Sequence, residues 1–172
     1  MRLAEKISIV TGGGSGIGRA TCERFAKEGS SVVVAEINEA AGQETVDLIT
    51  DAGGISIFLP LDVTDINSVK AMVEHTVNRY GTIDILVNNA GHADRGAMIQ
   101  DMEVEVFDRM VAVHLKGTFL CCKHTIPYRY RHNYGKIINV ASQFALNSST
   151  PLFCHYNAAK AGIISLTRTL SL

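Results

Sequence analysis

A chain of 172 residues, 47% apolar and 19% charged, has a globular composition and a length that suits one domain, 1–172; it is not a disordered segment. A formal net charge of −1 excludes the basic surface that would draw nucleic acid or an acidic membrane, so neither is expected as a partner. The charged start Met1-Arg2-Leu3-Ala4-Glu5-Lys6 does not read as a secretory segment, and no apolar run suits a membrane span; with Cys22, Cys121, Cys122 and Cys154 at neither zinc nor redox spacing, a cytoplasmic protein with reduced thiols and no metal is expected.

Apolar strand-like runs alternate with amphipathic stretches along the chain. Ile7-Ser8-Ile9-Val10-Thr11 reads as the first strand, followed by a glycine cluster and a helix over 16–28 that stops at Gly29. A second strand over 31–36 carries Val32-Val33-Val34. A helix over 39–51 and a strand over 55–61 follow. The next helix spans 65–80, with Val69, Met72, Val73, Thr76, Val77 and Tyr80 on one face. A fourth strand covers 83–88. A long helix spans 102–131, with Pro127 ending or bending it; a fifth strand covers 136–141, and a last helix runs from 157 to the end. Strands without polar alternation are buried on both faces, which predicts an α/β fold: a doubly wound, Rossmann-like parallel sheet of at least five strands with helices on both sides.

The cluster Thr11-Gly12-Gly13-Gly14-Ser15-Gly16-Ile17-Gly18 has the spacing G-x-x-x-G-x-G between a strand and a helix. Glycine lets the backbone turn sharply and approach a pyrophosphate, and the helix start at Gly16 aims unpaired N–H groups at that anion. Glu36 ends the second strand, where a carboxylate accepts hydrogen bonds from both adenosine ribose hydroxyls and repels a 2′-phosphate. Ser15, Ile37 and Asn38 offer no cation there, so NAD is expected over NADP. Leu61-Asp62-Val63-Thr64 puts a carboxylate at the end of the third strand, either toward an adenine amino group or as a helix cap, the reading also open to Asp65.

The glycine cluster, Asn88-Asn89-Ala90-Gly91, Ser142 and Tyr156-Asn157-Ala158-Ala159-Lys160 occur in order, and together they resemble the short-chain dehydrogenase/reductase family over the whole chain. The resemblance implies an enzyme moving a hydride between NAD and an alcohol or carbonyl. It implies Tyr156, Lys160 and Ser142 as catalytic residues. It also implies a cofactor set of Gly12, Ser15, Gly16, Ile17, Gly18, Glu36, Asp62, Val63, Asn89, Ala90, Gly91, Tyr156 and Lys160, and a homodimer or homotetramer formed through the helices at 102–131 and 157–172. Tyr156 and Lys160, four apart, share one helix face; a free tyrosine keeps its own proton to about pH 10, but the nearby ammonium favours the phenolate, which can then take the alcohol proton.

Two features depart from the family pattern. His114 stands where members commonly carry asparagine in a proton relay, and it reads either as a substitute in that relay or as a buried histidine. The chain also ends at Leu172, short of the family's usual C-terminal portion, so a protein ending there is expected to bind the adenosine half without turning over substrate. A truncated, non-catalytic dinucleotide-binding or subunit-binding relative is the second reading; a methyltransferase fold would give Tyr156 and Lys160 no role. His92, Asp94, Gln143, Asn147 and Phe153 sit on segments that should edge the pocket, which suggests a sugar or polyol.

Overall fold

The computed structural model describes residues 1–132, 134–147 and 150–171. Among these residues, β1 (Ile7–Thr11), β2 (Ser31–Glu36), β3 (Ile55–Pro60), β4 (Ile85–Asn88) and β5 (Lys136–Asn139) form a 5-stranded sheet in the order β3-β2-β1-β4-β5. Every pairing is parallel, and Ile9 of β1 lies between Val33 and Leu86. Successive residues of a strand face opposite sides of the sheet. Ile9, Val33 and Leu86 accordingly pack with Val69, Met72 and Val73 of α3 (Ile66–Tyr80) and with Leu120 and Cys121 further along the chain. On the other side, Val10, Val32, Val34 and Val87 pack with Cys22 and Ala26 of α1 (Gly16–Lys27) and with Ile49 of α2 (Glu39–Asp51). Burial on both faces is why β1, β2 and β4 carry no polar alternation, whereas the edge strands β3 and β5 stay partly exposed.

The long helical region departs from one uninterrupted α-helix. It consists of α4 (Val104–Val111), a π-helical turn (Ala112–Lys116) and α5 (Gly117–His132). Pro127 lies inside α5 and does not end it. The position is exposed, as is Lys123 one turn before it, so the carbonyl that loses its N–H partner faces water. The last helix, α6 (Cys154–Leu170), begins ahead of the expected 157 because a short turn over Pro151–Phe153, closed by the Thr150 hydroxyl accepting from the Leu152 N–H, leads straight into it. Residue 172, the expected end of that helix, lies outside the described residues. α6 packs on α4 and the π-helical turn.

Side chains pin both ends of the sheet. The Asp84 carboxylate accepts from the Ile7 N–H at 2.9 Å at one end. At the other, the Asn88 amide donates to Asn139 at 2.8 Å, and Asn139 donates to Thr167 of α6 at 2.9 Å. The chain leaves β1 toward one face and β4 toward the other, which opens a crevice at their carboxyl ends, where open α/β sheets bind ligands. Gly18 sets the depth of that crevice: a β-carbon there would overlap the Gly12 carbonyl oxygen. Gly18→Ala should therefore lower unfolding free energy by about 1–3 kcal/mol, the usual cost of overpacking. Urea unfolding followed by circular dichroism measures this, and a loss below about 0.5 kcal/mol, the scale of an ordinary surface change, would contradict it.

Candidate functional site

A cavity of about 780 Å³ opens at the carboxyl ends of β1, β2 and β4. Its floor is the turn between β1 and α1. Gly12 takes a φ of 65° and Gly16 a φ of 51°, conformations that glycine adopts without strain. Space above Gly16 is open, with no atom within 4 Å of where a β-carbon would stand. Ser15 precedes α1 in an extended conformation without capping it through its side chain. By contrast, Asn38 caps α2 by accepting from the Ala41 N–H, and Asp65 caps α3 by accepting from the Asn67 N–H. The first amides of α1 are thus left as donors beside open space, a site suited to a phosphate. Ser15, Gly16 and Ile17 line the cavity, whereas Gly18 lies beneath the turn and serves its packing.

Glu36 reaches the cavity wall from the end of β2, and its carboxylate organises the same turn. One oxygen accepts from the Gly14 N–H at 3.1 Å, the other from the Ile37 and Asn38 N–H groups at 2.9 and 3.1 Å. A carboxylate has about four acceptor positions, so one remains for a ligand hydroxyl. Arg19 of α1 is a cation near this point that the sequence did not place. Its guanidinium donates to the Gly14 carbonyl at 2.6 and 3.0 Å and pairs with Glu44 at 2.6 Å. Asp62 and Val63 also line the cavity, and one Asp62 oxygen accepts from the Thr64 N–H and hydroxyl at 2.8 and 2.7 Å.

The end of β4 is tied to the glycine turn. Asn89 donates through its side-chain amide to the Thr11 and Gly12 carbonyls, each at 3.1 Å. The Asn89 and Ala90 N–H groups both donate to the Thr11 hydroxyl at 3.0 Å. Gly12 is needed as well, since a β-carbon there would come within 2.9 Å of the Ala90 α-carbon. Thr11 is a residue whose part in this site the sequence reading missed; a hydroxyl directly before the first glycine was the available signal.

Ser142, Tyr156, Lys160 and His114 meet on the other wall. Tyr156 and Lys160 come from one face of α6, with the Lys160 ammonium 5.7 Å from the centre of the Tyr156 ring. That ammonium donates to the Val140 carbonyl at 2.7 Å, and burial lowers the lysine from its ordinary titration range. The Ser142 hydroxyl accepts from the Phe144 N–H at 3.2 Å as it opens a short turn over Gln143–Ala145. His114 sits in the π-helical turn, 3% exposed, and meets the edge of Tyr156 at 5.5 Å between ring centres. Its Nε2 lies 3.1 Å from the His92 carbonyl and 3.3 Å from the His92 N–H, while Nδ1 is buried with no protein partner among the described residues. Gly91 makes this possible, because a β-carbon there would enter the His114 ring.

Of the residues expected to edge the pocket, His92, Asp94 and Phe153 line it, and Gln143 and Asn147 do not. Met110, Val113 and Phe144 line it without having been foreseen. The Cys22 and Cys121 thiols are buried, and burial pushes both up to about 12, far from reactive thiolates.

The family model described as short chain dehydrogenase matches residues 6–172. An uncharacterized oxidoreductase of Bacillus subtilis is 44% identical over 171 residues, which cover 99% of this chain and 62% of that protein. A 3-oxoacyl-(acyl-carrier-protein) reductase of Thermotoga maritima is 39% identical, covering 98% of this chain and 68% of that one. The crystal structure of a short chain dehydrogenase from Mycobacterium avium superposes with a TM-score of 0.90 at 37% identity, over 97% of this chain and 62% of the other. The chain therefore spans about two thirds of the length of such relatives.

Burial first, and then the Lys160 charge, push His114 down to about 4, so the imidazole is neutral at physiological pH. An unfolded histidine takes up its proton near pH 6.5, so between about pH 6.5 and 4 the unfolded state binds the proton and the native state does not. Stability is complete above that window and falls as pH drops through it, by up to about 3 kcal/mol for this one group. Replacing His114 with asparagine should flatten that part of the curve of unfolding free energy against pH; superimposable curves for parent and variant would contradict the burial argument.

Proposed function

This chain belongs to the short chain dehydrogenase family, and on that premise we propose that it forms the cofactor-binding and catalytic core of an NAD-dependent oxidoreductase. The reaction moves a hydride between the nicotinamide cofactor and an alcohol or carbonyl substrate, with Tyr156 as acid and base. One observation carries this reading: Tyr156 and Lys160, one helical turn apart on α6, open onto the same cavity as the uncapped glycine turn. The nicotinamide ring, when bound, supplies the hydride acceptor or donor.

The residues of the chain do the rest. The amides at the start of α1 hold the pyrophosphate, Glu36 takes an adenosine ribose hydroxyl at its remaining acceptor position, and Asp62, Val63 and Asn89 to Gly91 line the dinucleotide. Preference for NAD rests on Glu36, since the nearby Arg19 is already committed to the Gly14 carbonyl and Glu44. Ser142 orients the substrate oxygen, Tyr156 passes its proton, and Lys160 stabilises the tyrosinate and holds the nicotinamide ribose. His114 takes the relay position as a neutral donor and acceptor, its Nδ1, without a partner among the described residues, fitting a bound water.

The Thermotoga relative is named for reduction of a carbonyl, which supports the alcohol and carbonyl class. Polar groups at His92 and Asp94 favour a sugar or polyol within it. Assembly as a homodimer or homotetramer through 102–131 and 157–172 is supported by exposed Val104, Phe107 and Phe119 on α4 and α5. The reading places the protein in the cytoplasm; among the described residues, no helix is long and apolar enough to cross a membrane.

Tyr156→Phe in the full-length protein should cut turnover by about 10² to 10⁴, the usual contribution of an acid–base group, while NAD affinity stays close to the parent's. Steady-state kinetics beside calorimetry reads both, and activity within about threefold of the parent would remove Tyr156 from that role. NAD should bind more tightly than NADP, and Glu36→Ala should narrow the difference; equal affinities in the parent would show that Glu36 does not meet the ribose.

A further inference from the structure

The loop after β4 carries a charged network that the reaction described above does not use. His92 Nε2 stands 2.9 Å from an Asp94 carboxylate oxygen, and Arg109 of α4 donates to both Asp94 oxygens at 3.2 and 3.3 Å. His92 and Asp94 line the cavity. Their side chains are 28% and 18% exposed, whereas Arg109 is 57% exposed and closes the network on its solvent side. Burial works to raise the Asp94 carboxyl, but the hydrogen bonds of His92 and Arg109, with the guanidinium charge, hold the group below its ordinary range. Asp94 is therefore an anion whose oxygens are both engaged.

That pairing selects the tautomer of the histidine. The imidazole nitrogen facing a carboxylate carries the proton, so in the neutral ring Nε2 is the donor and Nδ1 the acceptor. The main chain of His92 is bound in turn by the His114 ring, and the two rings lie 5.5 Å apart between centres. His114 meets Tyr156 at the same separation, so His92, His114 and Tyr156 follow one another along the wall. An acceptor thus stands one imidazole away from the tyrosine. A wall of this kind, with its carboxylate already satisfied, suits a neutral donor and disfavours a carboxylate or phosphate on the substrate.

We propose that His92 is a specificity residue: oriented by Asp94 and Arg109, it accepts through Nδ1 a hydrogen bond from a second hydroxyl of the substrate, and so selects a polyol or sugar over a simple alcohol. Asp94 and Arg109 are positioning residues. The assignment rests on the oxidoreductase reading, and two independent measurements separate them.

The first is nitrogen-15 NMR of the imidazoles in the full-length protein with NAD, adding glucose, myo-inositol, cis-1,2-cyclohexanediol or cyclohexanol. His92 should be the Nε2–H tautomer, its Nδ1 resonance should move with at least one polyol, and cyclohexanol should leave it in place. Asp94→Ala should give mixed tautomers. The second is kinetics of the parent and His92→Phe, where KM for the responding polyol should rise about tenfold more than KM for cyclohexanol, the scale of one lost hydrogen bond, with kcat changing less. A His92 resonance that no polyol moves, or a KM ratio within about twofold of the parent's, overturns the proposal. A parent that oxidises none of the four while a polyol moves His92 counts against the oxidoreductase reading and supports only the hydroxyl contact at His92. A parent that oxidises polyols and cyclohexanol with equal KM does the reverse.

Discussion

The knot between Thr11 and Asn89 is the contact on which the crevice depends. The carbonyls of Thr11 and Gly12 stand where β1 ends and the chain turns away, and buried carbonyls left unpaired are costly. The Asn89 amide satisfies both, and the Thr11 hydroxyl receives two amides in return. Because Gly12 has no side chain, β4 closes to contact at Ala90, and Gly18 lets the start of α1 settle on the Gly12 carbonyl. The result is a rigid rim with free amides and open space on its outer side. Glu36 extends this rim by holding Gly14 from the neighbouring strand.

The opposite wall works by burial. His114 is held neutral, with one ring nitrogen on the His92 main chain and the other without a protein partner among the described residues. Lys160 is turned toward the Val140 carbonyl and stands over the tyrosine ring. Polar groups taken out of water interact more strongly with one another and with whatever enters the cavity. A π-helical turn at this point widens the helix locally and brings His114 against Tyr156, and such turns are frequent at functional sites.

Most of the scaffold was legible in the sequence because it follows from periodicity. Unbroken apolar runs such as Val32-Val33-Val34 mark doubly buried strands, and glycines between a strand and a helix mark the turn. The four-residue spacing of Tyr156 and Lys160 already implies one helix face. The π-helical turn was illegible, since Ala112–Lys116 has the composition of ordinary helix and its extra residue per turn answers to tertiary packing. The loop geometry was illegible for a different reason. Arg109 reaches Asp94 across an irregular segment, and the short turn at Gln143–Ala145 presents Phe144 to the cavity in place of Gln143. Neither arrangement has a period to read. Arg19 was missed because its interaction with Gly14 depends on how the helix returns over its own start.

The most direct test of the account is a crystal structure of the full-length protein with NAD bound. The pyrophosphate should lie against the amides of Gly16 and Ile17, the adenosine ribose on the Glu36 carboxylate, and the nicotinamide ring beside Tyr156 and Lys160. A dinucleotide seated elsewhere, or one whose nicotinamide points away from Tyr156, would contradict the assignment of this crevice as the reaction site.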